Sequence, residues 1–268
     1  MQTFLPYESF AHSARGLDQA RLGKQRVETL QLLRGLVVPD YGWQRHPALL
    51  MWKGFVPALA VYGLAMTDEW IARGHADTVR EQILEFAPHA AAADVELPPW
   101  LGDEDLHRSH RSNLIEKSPE VYGPLFPDTD AGLPYVWPAP ADVPDPVEPA
   151  PADALWVARA VPDGGAADIV LPMLSAKGTP ITGKRGRQLV RLLEDMDDGD
   201  PVAVIAPADR TRLLLGRAGP VELTNDTARR TVKLSGSVPR AAFSYPAVLQ
   251  DPRTLFAVPR PDGLPKVR

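Results

Sequence analysis

The sequence predicts a mainly α N-terminal domain followed by a small β-rich domain, and three observations carry that division. Up to about residue 138, apolar residues recur at helical spacing. From about residue 154 they fall into short runs bounded by Gly, Pro or Asp. Between the two lies residues 139–153, APADVPDPVEPAPAD, built only from Ala, Pro, Val, Asp and Glu. Such a segment has too little apolar area to offset its chain entropy, so a semi-stiff extended linker is expected there.

Composition bounds the rest. At 268 residues, 44% apolar and 24% charged, the chain can build a core, and wholesale disorder is excluded. No run approaches the ~18 apolar residues of a membrane span, so no membrane association is expected. The start, Met1-Gln2-Thr3-Phe4, lacks a basic region followed by an apolar one, so no secretory signal is expected either. Without cysteine there are no disulfides, thiolate catalysis or cysteine-based zinc sites, which fits a cytoplasmic protein. A net charge of −5 argues against a generally basic protein, so any nucleic-acid surface is a local patch.

In the N-terminal domain a helix is expected from about Leu17 to Gly35. Leu22, Leu30, Leu33 and Val37 share one arc, with Val27 at its margin. Arg21, Lys24 and Glu28 fall within about 60° of each other on the opposite side, while Arg26 projects into the apolar arc. A second helical region starts at His46-Pro47, breaks or kinks at Pro57, and continues to Arg73 with Gly74 as its stop. A third helix carries Asp105 to Lys117 and ends before Pro119. In the C-terminal domain, strands are expected at 154–161, 169–174, 202–206, 212–217 and 231–234, with one helix at 186–196. That pattern suits a small barrel or an α+β domain.

The face carrying Arg21, Lys24 and Glu28 holds the strongest chemical signal. Lys24 and Glu28 are i,i+4 neighbours, and the simpler reading is an ordinary solvated pair. A carboxylate set among cations can also polarise or deprotonate a group bound to them. From Met1 to Lys53 the chain has seven Lys/Arg (15, 21, 24, 26, 34, 45, 53) against four acids (8, 18, 28, 40), a local basic excess in an acidic protein. Trp43, Trp52 and Tyr122 are candidates for stacking on an extruded base, with helix packing the simpler role for each. His107 and His110 stand i,i+3 near Asp103 and Asp105, but there is no HExxH pattern and no metal site is expected.

Residues 13–33, SARGLDQARLGKQRVETLQLL, resemble the pyrimidine-dimer DNA glycosylase family typified by the phage endonuclease V repair enzyme. The likeness continues through Gly42-Trp43-Gln44-Arg45-His46-Pro47 with Trp52, then Ala60-Val61-Tyr62-Gly63-Leu64-Ala65, Glu69-Trp70 and Arg73-Gly74. It extends to His110–Lys117, Pro119 and Tyr122-Gly123, about the first 125 residues in all. The resemblance implies an endonuclease V-like helical fold and a base-excision activity on DNA, in many members followed by strand cleavage through β-elimination. It implies that an amine attacks the sugar C1′ while a glutamate on the first long helix stabilises the sugar cation and moves protons. Glu28 matches that glutamate. Arg21 and Arg26 match basic residues that hold phosphates, Lys117 matches one near the end of the fold, and Arg15, His46, Arg111 and Tyr122 join the expected DNA contacts. No cofactor is expected, because this chemistry runs on an amine and a carboxylate.

The nucleophile departs from the family pattern. Family chemistry uses an α-amine exposed by removal of the initiator methionine, and Gln2 is too large for that removal. The α-amine is then that of Met1. An α-amine titrates at about 7.7–8, whereas a lysine at about 10.4 must be lowered by burial or by neighbouring charge. Three routes stay open: the Met1 amine, Lys24, or water activated by Glu28.

In the C-terminal domain, Gly178–Lys184 satisfies GxxxxGK, but Arg185 stands where a phosphate-binding loop needs Ser or Thr, and Pro180 lacks a backbone donor. Nucleotide hydrolysis is therefore not expected. Lys177, Lys184, Arg185, Arg187 and Arg191 form a run without an acid, suited to contacting phosphates. Gly199–Ile205 and Leu215–Pro220 are faintly similar to PUA-like barrels that read modified bases. The leading expectation is thus a DNA N-glycosylase, with or without abasic-site lyase activity. A non-catalytic nucleic-acid binding protein on the same scaffold and a protein-binding adaptor are the alternatives.

Overall fold

The structure, a computed structural model, describes residues 1–89 and 94–261. It forms two compact units whose boundary falls between Pro146 and Val147, inside the proline-rich stretch.

The first unit is helical. After an extended start come α1 (Phe10–Gly16), α2 (Gln19–Val37), α3 (Pro47–Leu50), α4 (Val56–Ala72), α5 (Arg80–Leu84), α6 (Glu104–Lys117) and α7 (Pro119–Tyr122). Asp18 caps α2 by accepting from Arg21 N–H at 2.8 Å. Pro57 lies in the first turn of α4, where no helical donor is missing, so the break expected at Pro57 falls just before it, between α3 and α4. Gly74, at φ 87°, follows the end of α4.

Leu22, Leu30 and Leu33 are buried as the periodicity requires, but Gln25, Glu28 and Thr29 are buried too, so α2 is enclosed on more than its apolar arc. α2 and α4 pack closely because glycines let them. A Cβ on Gly63 would lie 2.8 Å from Thr29 Cγ2, and one on Gly23 would lie 2.9 Å from the Trp70 ring. Each contact is tighter than side chains tolerate in a close-packed interior.

Residues 142–145 are exposed, and they touch the first unit at a few points. Lys53 Nζ pairs with Asp145 at 2.7 Å, and Val143 and Pro144 line a hollow with Leu49, Leu50 and Pro57. In the second unit, the Glu148 side chain is buried between Arg191 and Arg253. Asp145 and Glu148 thus find cations, while Val147 stays exposed.

The second unit is α+β. Among the described residues its strands are β1 (Ala154–Arg159), β2 (Pro162–Asp163), β3 (Ala166–Pro172), β4 (Pro201–Ala206), β5 (Asp209–Leu223), β6 (Thr227–Pro239) and β7 (Leu255–Pro259), in the order β2-β3-β6-β5-β4-β1-β7. β1 and β4 are parallel, with Trp156 opposite Val202, and the other neighbours are antiparallel. The continuous apolar runs of β1 and β4 are buried on both faces. One face packs with Leu192 and Met196, the other with Phe243 and Leu249. β3 alternates, with Ala167, Ile169 and Leu171 inward. A helix, α8 (Gly183–Val190), continues into a wider π turn at Arg191–Asp195. β2 and β7 were not legible, and β5 and β6 run well beyond the short segments expected. Among the described residues no helix is long and apolar enough to cross a membrane.

Candidate active site

The first five residues have no regular backbone partners and are held by side chains of the helices around them. Phe4 N–H donates to Gln25 Oε1 at 3.0 Å, and the single Tyr62 O–H is shared between Gln25 Oε1 at 2.7 Å and Phe4 O at 3.1 Å. Trp52 Nε1 donates to Thr3 Oγ1 at 3.1 Å. On α6, His107 Nδ1–H donates to Leu5 O at 2.8 Å, and His110 Nδ1 accepts from Leu5 N–H at 3.3 Å. Burial, helped by the neighbouring His107, pushes the His110 pKa down to about 3, so its ring stays neutral.

This stitching brings the start of the chain to Glu28. Oε2 of Glu28 accepts from Gln2 N–H at 3.1 Å and from Gln25 Nε2 at 3.2 Å. Oε1 faces two amines, the Met1 nitrogen at 3.8 Å and Lys24 Nζ at 3.5 Å. One carboxylate oxygen is therefore anchored and the other is presented. The Met1 and Glu28 side chains are only 5% and 12% exposed, whereas Lys24 is 71% exposed.

The three groups line a pocket of about 600 Å³ with Arg21, His46, Lys117, Tyr135 and Trp137. Arg21 pairs with Asp18 and lies 5.2 Å above the Tyr122 ring. Burial works to raise the Asp18 carboxyl. Hydrogen bonds from Arg21 and Tyr122, with the Arg21 charge, outweigh it and leave its pKa below the ordinary value. His46 is lowered by burial and by the Met1 ammonium, against the opposing pull of Glu28. Its Nδ1 accepts from Ala48 N–H at 3.1 Å, so the neutral ring carries its proton on Nε2.

Of the residues expected at a site, Met1, Arg21, Lys24, Glu28, His46 and Lys117 come together here. The others do not. Arg26 is paired with buried Asp77 and stacked 4.1 Å over Trp70, because its place in the apolar arc turns it into the protein. Arg15 lines a separate groove with Asp68, Glu69 and Arg80. Arg111 donates to Pro6 O at 2.9 Å and pairs with Glu104, holding the N-terminal segment. Tyr122 is buried, and its OH donates to Asp18 at 2.8 Å, which makes it a prop beneath Arg21 rather than a stacking surface. Trp52 is fully buried in the core, and Trp43 is exposed outside the pocket lining. Lys184, Arg185 and Arg187 lie exposed on α8 of the second unit, where Arg185 lines a hollow with Gln188 and Arg253.

Sequence reasoning missed Gln2, Gln25, Tyr135 and Trp137. Gln25 had a signal, one turn before Glu28 on the same helix. Tyr135 and Trp137 are alternate residues of an extended stretch, and nothing in their spacing points to a pocket.

No curated protein and no solved structure matches the chain. Residues 1–81, which supply Met1, Arg21, Lys24, Glu28 and His46 to the pocket, match the family model described as pyrimidine dimer DNA glycosylase.

Proposed function

We propose that the protein is a DNA base-excision enzyme, an N-glycosylase acting on damaged or modified bases such as pyrimidine dimers, in which the Met1 α-amine is the nucleophile. One observation carries this reading: Glu28 holds one oxygen by two hydrogen bonds and offers the other to a sheltered amine beside an open pocket. Lys24 reaches the same oxygen but extends into solvent, so it suits a role as counter-charge to Glu28 and to phosphate.

The chemistry follows from that placement. The neutral amine attacks C1′, the C1′–N bond to the base breaks, and its electron pair leaves with the base, which takes up a proton. Glu28 stabilises the developing positive charge on the sugar and accepts the proton lost by the amine. The C1′–O4′ bond then breaks, and its electron pair stays on O4′, which takes the proton held by Glu28. The ring-opened iminium can lose its C2′ proton and the 3′ phosphate by β-elimination, which is the lyase step. Arg21 and Lys117 stand at the pocket for phosphates, and neutral His46 offers an Nε2–H donor.

A cleavage panel of duplexes carrying a cyclobutane pyrimidine dimer, an abasic site or a modified cytosine tests the reading. Cleavage of at least one duplex, abolished in Glu28→Gln, is the expected result. Salt-sensitive binding with no cleavage of any duplex would instead favour the non-catalytic binding protein.

A further inference from the structure

The turn between α2 and α3 holds a feature that the amine and carboxylate do not explain. Trp43 adopts φ 70°, a left-handed conformation that side chains larger than glycine and asparagine rarely take. It is 61% exposed, the only one of the six tryptophans in the exposed class. The turn beneath it is pinned. His46 N–H donates to Trp43 O at 2.8 Å, and Gln44 Nε2 reaches Val38 O at 3.2 Å and Gly35 O at 3.3 Å. A strained backbone and an exposed indole both cost free energy, and no hydrogen bond of the indole offsets them among the described residues.

Its position relative to the pocket gives it a use. Trp43 stands edge-on to His46, with ring centroids 5.7 Å apart, and His46 stands edge-on to Trp137 at 6.4 Å. His46 and Trp137 line the pocket and Trp43 does not. The aromatic file thus runs from the pocket wall to its rim, and Trp43 is the member outside. Arg45, two residues on, is exposed and has no carboxylate partner among the described residues, so the rim also offers a cation for a phosphate.

We infer that Trp43 enters the duplex and occupies the gap left when a nucleotide is turned into the pocket. This rests on the base-excision reading above. An enzyme that works on a base outside the stack must meet the cost of unstacking it. An apolar side chain inserted between base steps recovers part of that cost, and an indole offers both neighbours a stacking face. A residue inside the pocket cannot do this, because it would meet the extruded base and not the vacated step.

The test uses the full-length protein and a duplex bearing a tetrahydrofuran abasic analogue, which the amine cannot open, with 2-aminopurine beside the vacant step as a reporter of stacking. Binding by the unaltered protein is expected to quench the fluorescence, because the indole stacks on the reporter. Trp43→Asn, which tolerates the left-handed turn, is expected to lose most of that quenching and to bind the duplex about tenfold more weakly. Trp43→Phe is expected to keep much of the quenching, and binding to the same strand without its complement is expected to change little in either variant. Undiminished quenching and unchanged duplex affinity in Trp43→Asn would overturn the inference, as would an equal loss on duplex and single strand. If the unaltered protein neither binds nor cuts any lesion duplex, the base-excision reading fails first.

Discussion

Gln25 Nε2 donates to Glu28 Oε2 at 3.2 Å while Gln25 Oε1 accepts from the Phe4 backbone, so one buried side chain fixes both the carboxylate and the segment that delivers the amine. Gln25→Ala removes both links, leaves Phe4 N–H short of an acceptor and leaves Tyr62 OH only Phe4 O. A stability loss of about 2–3 kcal/mol is expected from urea unfolding, at ~1 kcal/mol for each buried bond. Single-turnover excision is expected to fall by more than that instability explains, because the Met1 nitrogen loses its placement.

Glu28→Gln separates chemistry from architecture. The glutamine carbonyl can still accept from Gln2 N–H, so the fold is retained. Loss of the carboxylate charge and of its proton-accepting role is expected to lower single-turnover excision by about 10²–10⁴. Circular dichroism and the urea midpoint serve as the check on folding.

Arg26 and Arg21 are expected to differ sharply, although the resemblance implies a phosphate-holding role for both. Arg26 and Asp77 are 12% and 2% exposed, so Arg26→Ala leaves a buried carboxylate with only the Val79 and Arg80 N–H donors and is expected to cost about 3 kcal/mol of stability. Its effect on the salt dependence of DNA binding is expected to be nil. Lys117→Ala, at the pocket wall, is expected to lower the slope of log K against log salt by about one while leaving stability nearly unchanged. Arg21→Ala should lower the slope likewise, with an added stability loss from the released Asp18.

Acid sensitivity should trace in part to His110. Its pKa in the fold is about 3 against an ordinary 6.5, so between those values the unfolded chain binds a proton that the folded one refuses. Stability from this group is complete above about pH 6.5 and is lost as pH falls toward 3, at up to ~1.4 kcal/mol per pH unit. His110→Gln keeps an acceptor for Leu5 N–H and removes the titration. Its urea midpoint is expected to decline less steeply than that of the unaltered protein between pH 6.5 and 4.

How much was legible in the sequence depended on the range of the interaction involved. Periodicity placed α2, α4 and α6, and the i,i+4 relation of Lys24 and Glu28 appears as read, because helical neighbours are set by local geometry. Arg26 is the instructive failure. Its misfit in the apolar arc was visible, but its partner Asp77 lies 51 residues away, and only the tertiary structure shows that the charge is consumed internally. Tyr135 and Trp137 reach the pocket from an irregular segment with no periodic signal. β7 pairs antiparallel to β1 across about a hundred residues, a long-range pairing that spacing does not encode. Of the other expected DNA contacts, Arg111 and Tyr122 are engaged by Pro6 O and Asp18, and Arg15 lines a groove apart from the pocket.

The central claim is that the first amine of the chain, set beside Glu28, attacks the sugar. Borohydride reduction of the full-length protein on an abasic-site duplex, followed by proteolysis and mass mapping of the cross-linked peptide, tests it most directly. The expected result is a covalent adduct on the Met1 nitrogen that persists in Lys24→Ala. An adduct on Lys24, or no adduct under conditions where the protein releases the base, would contradict it.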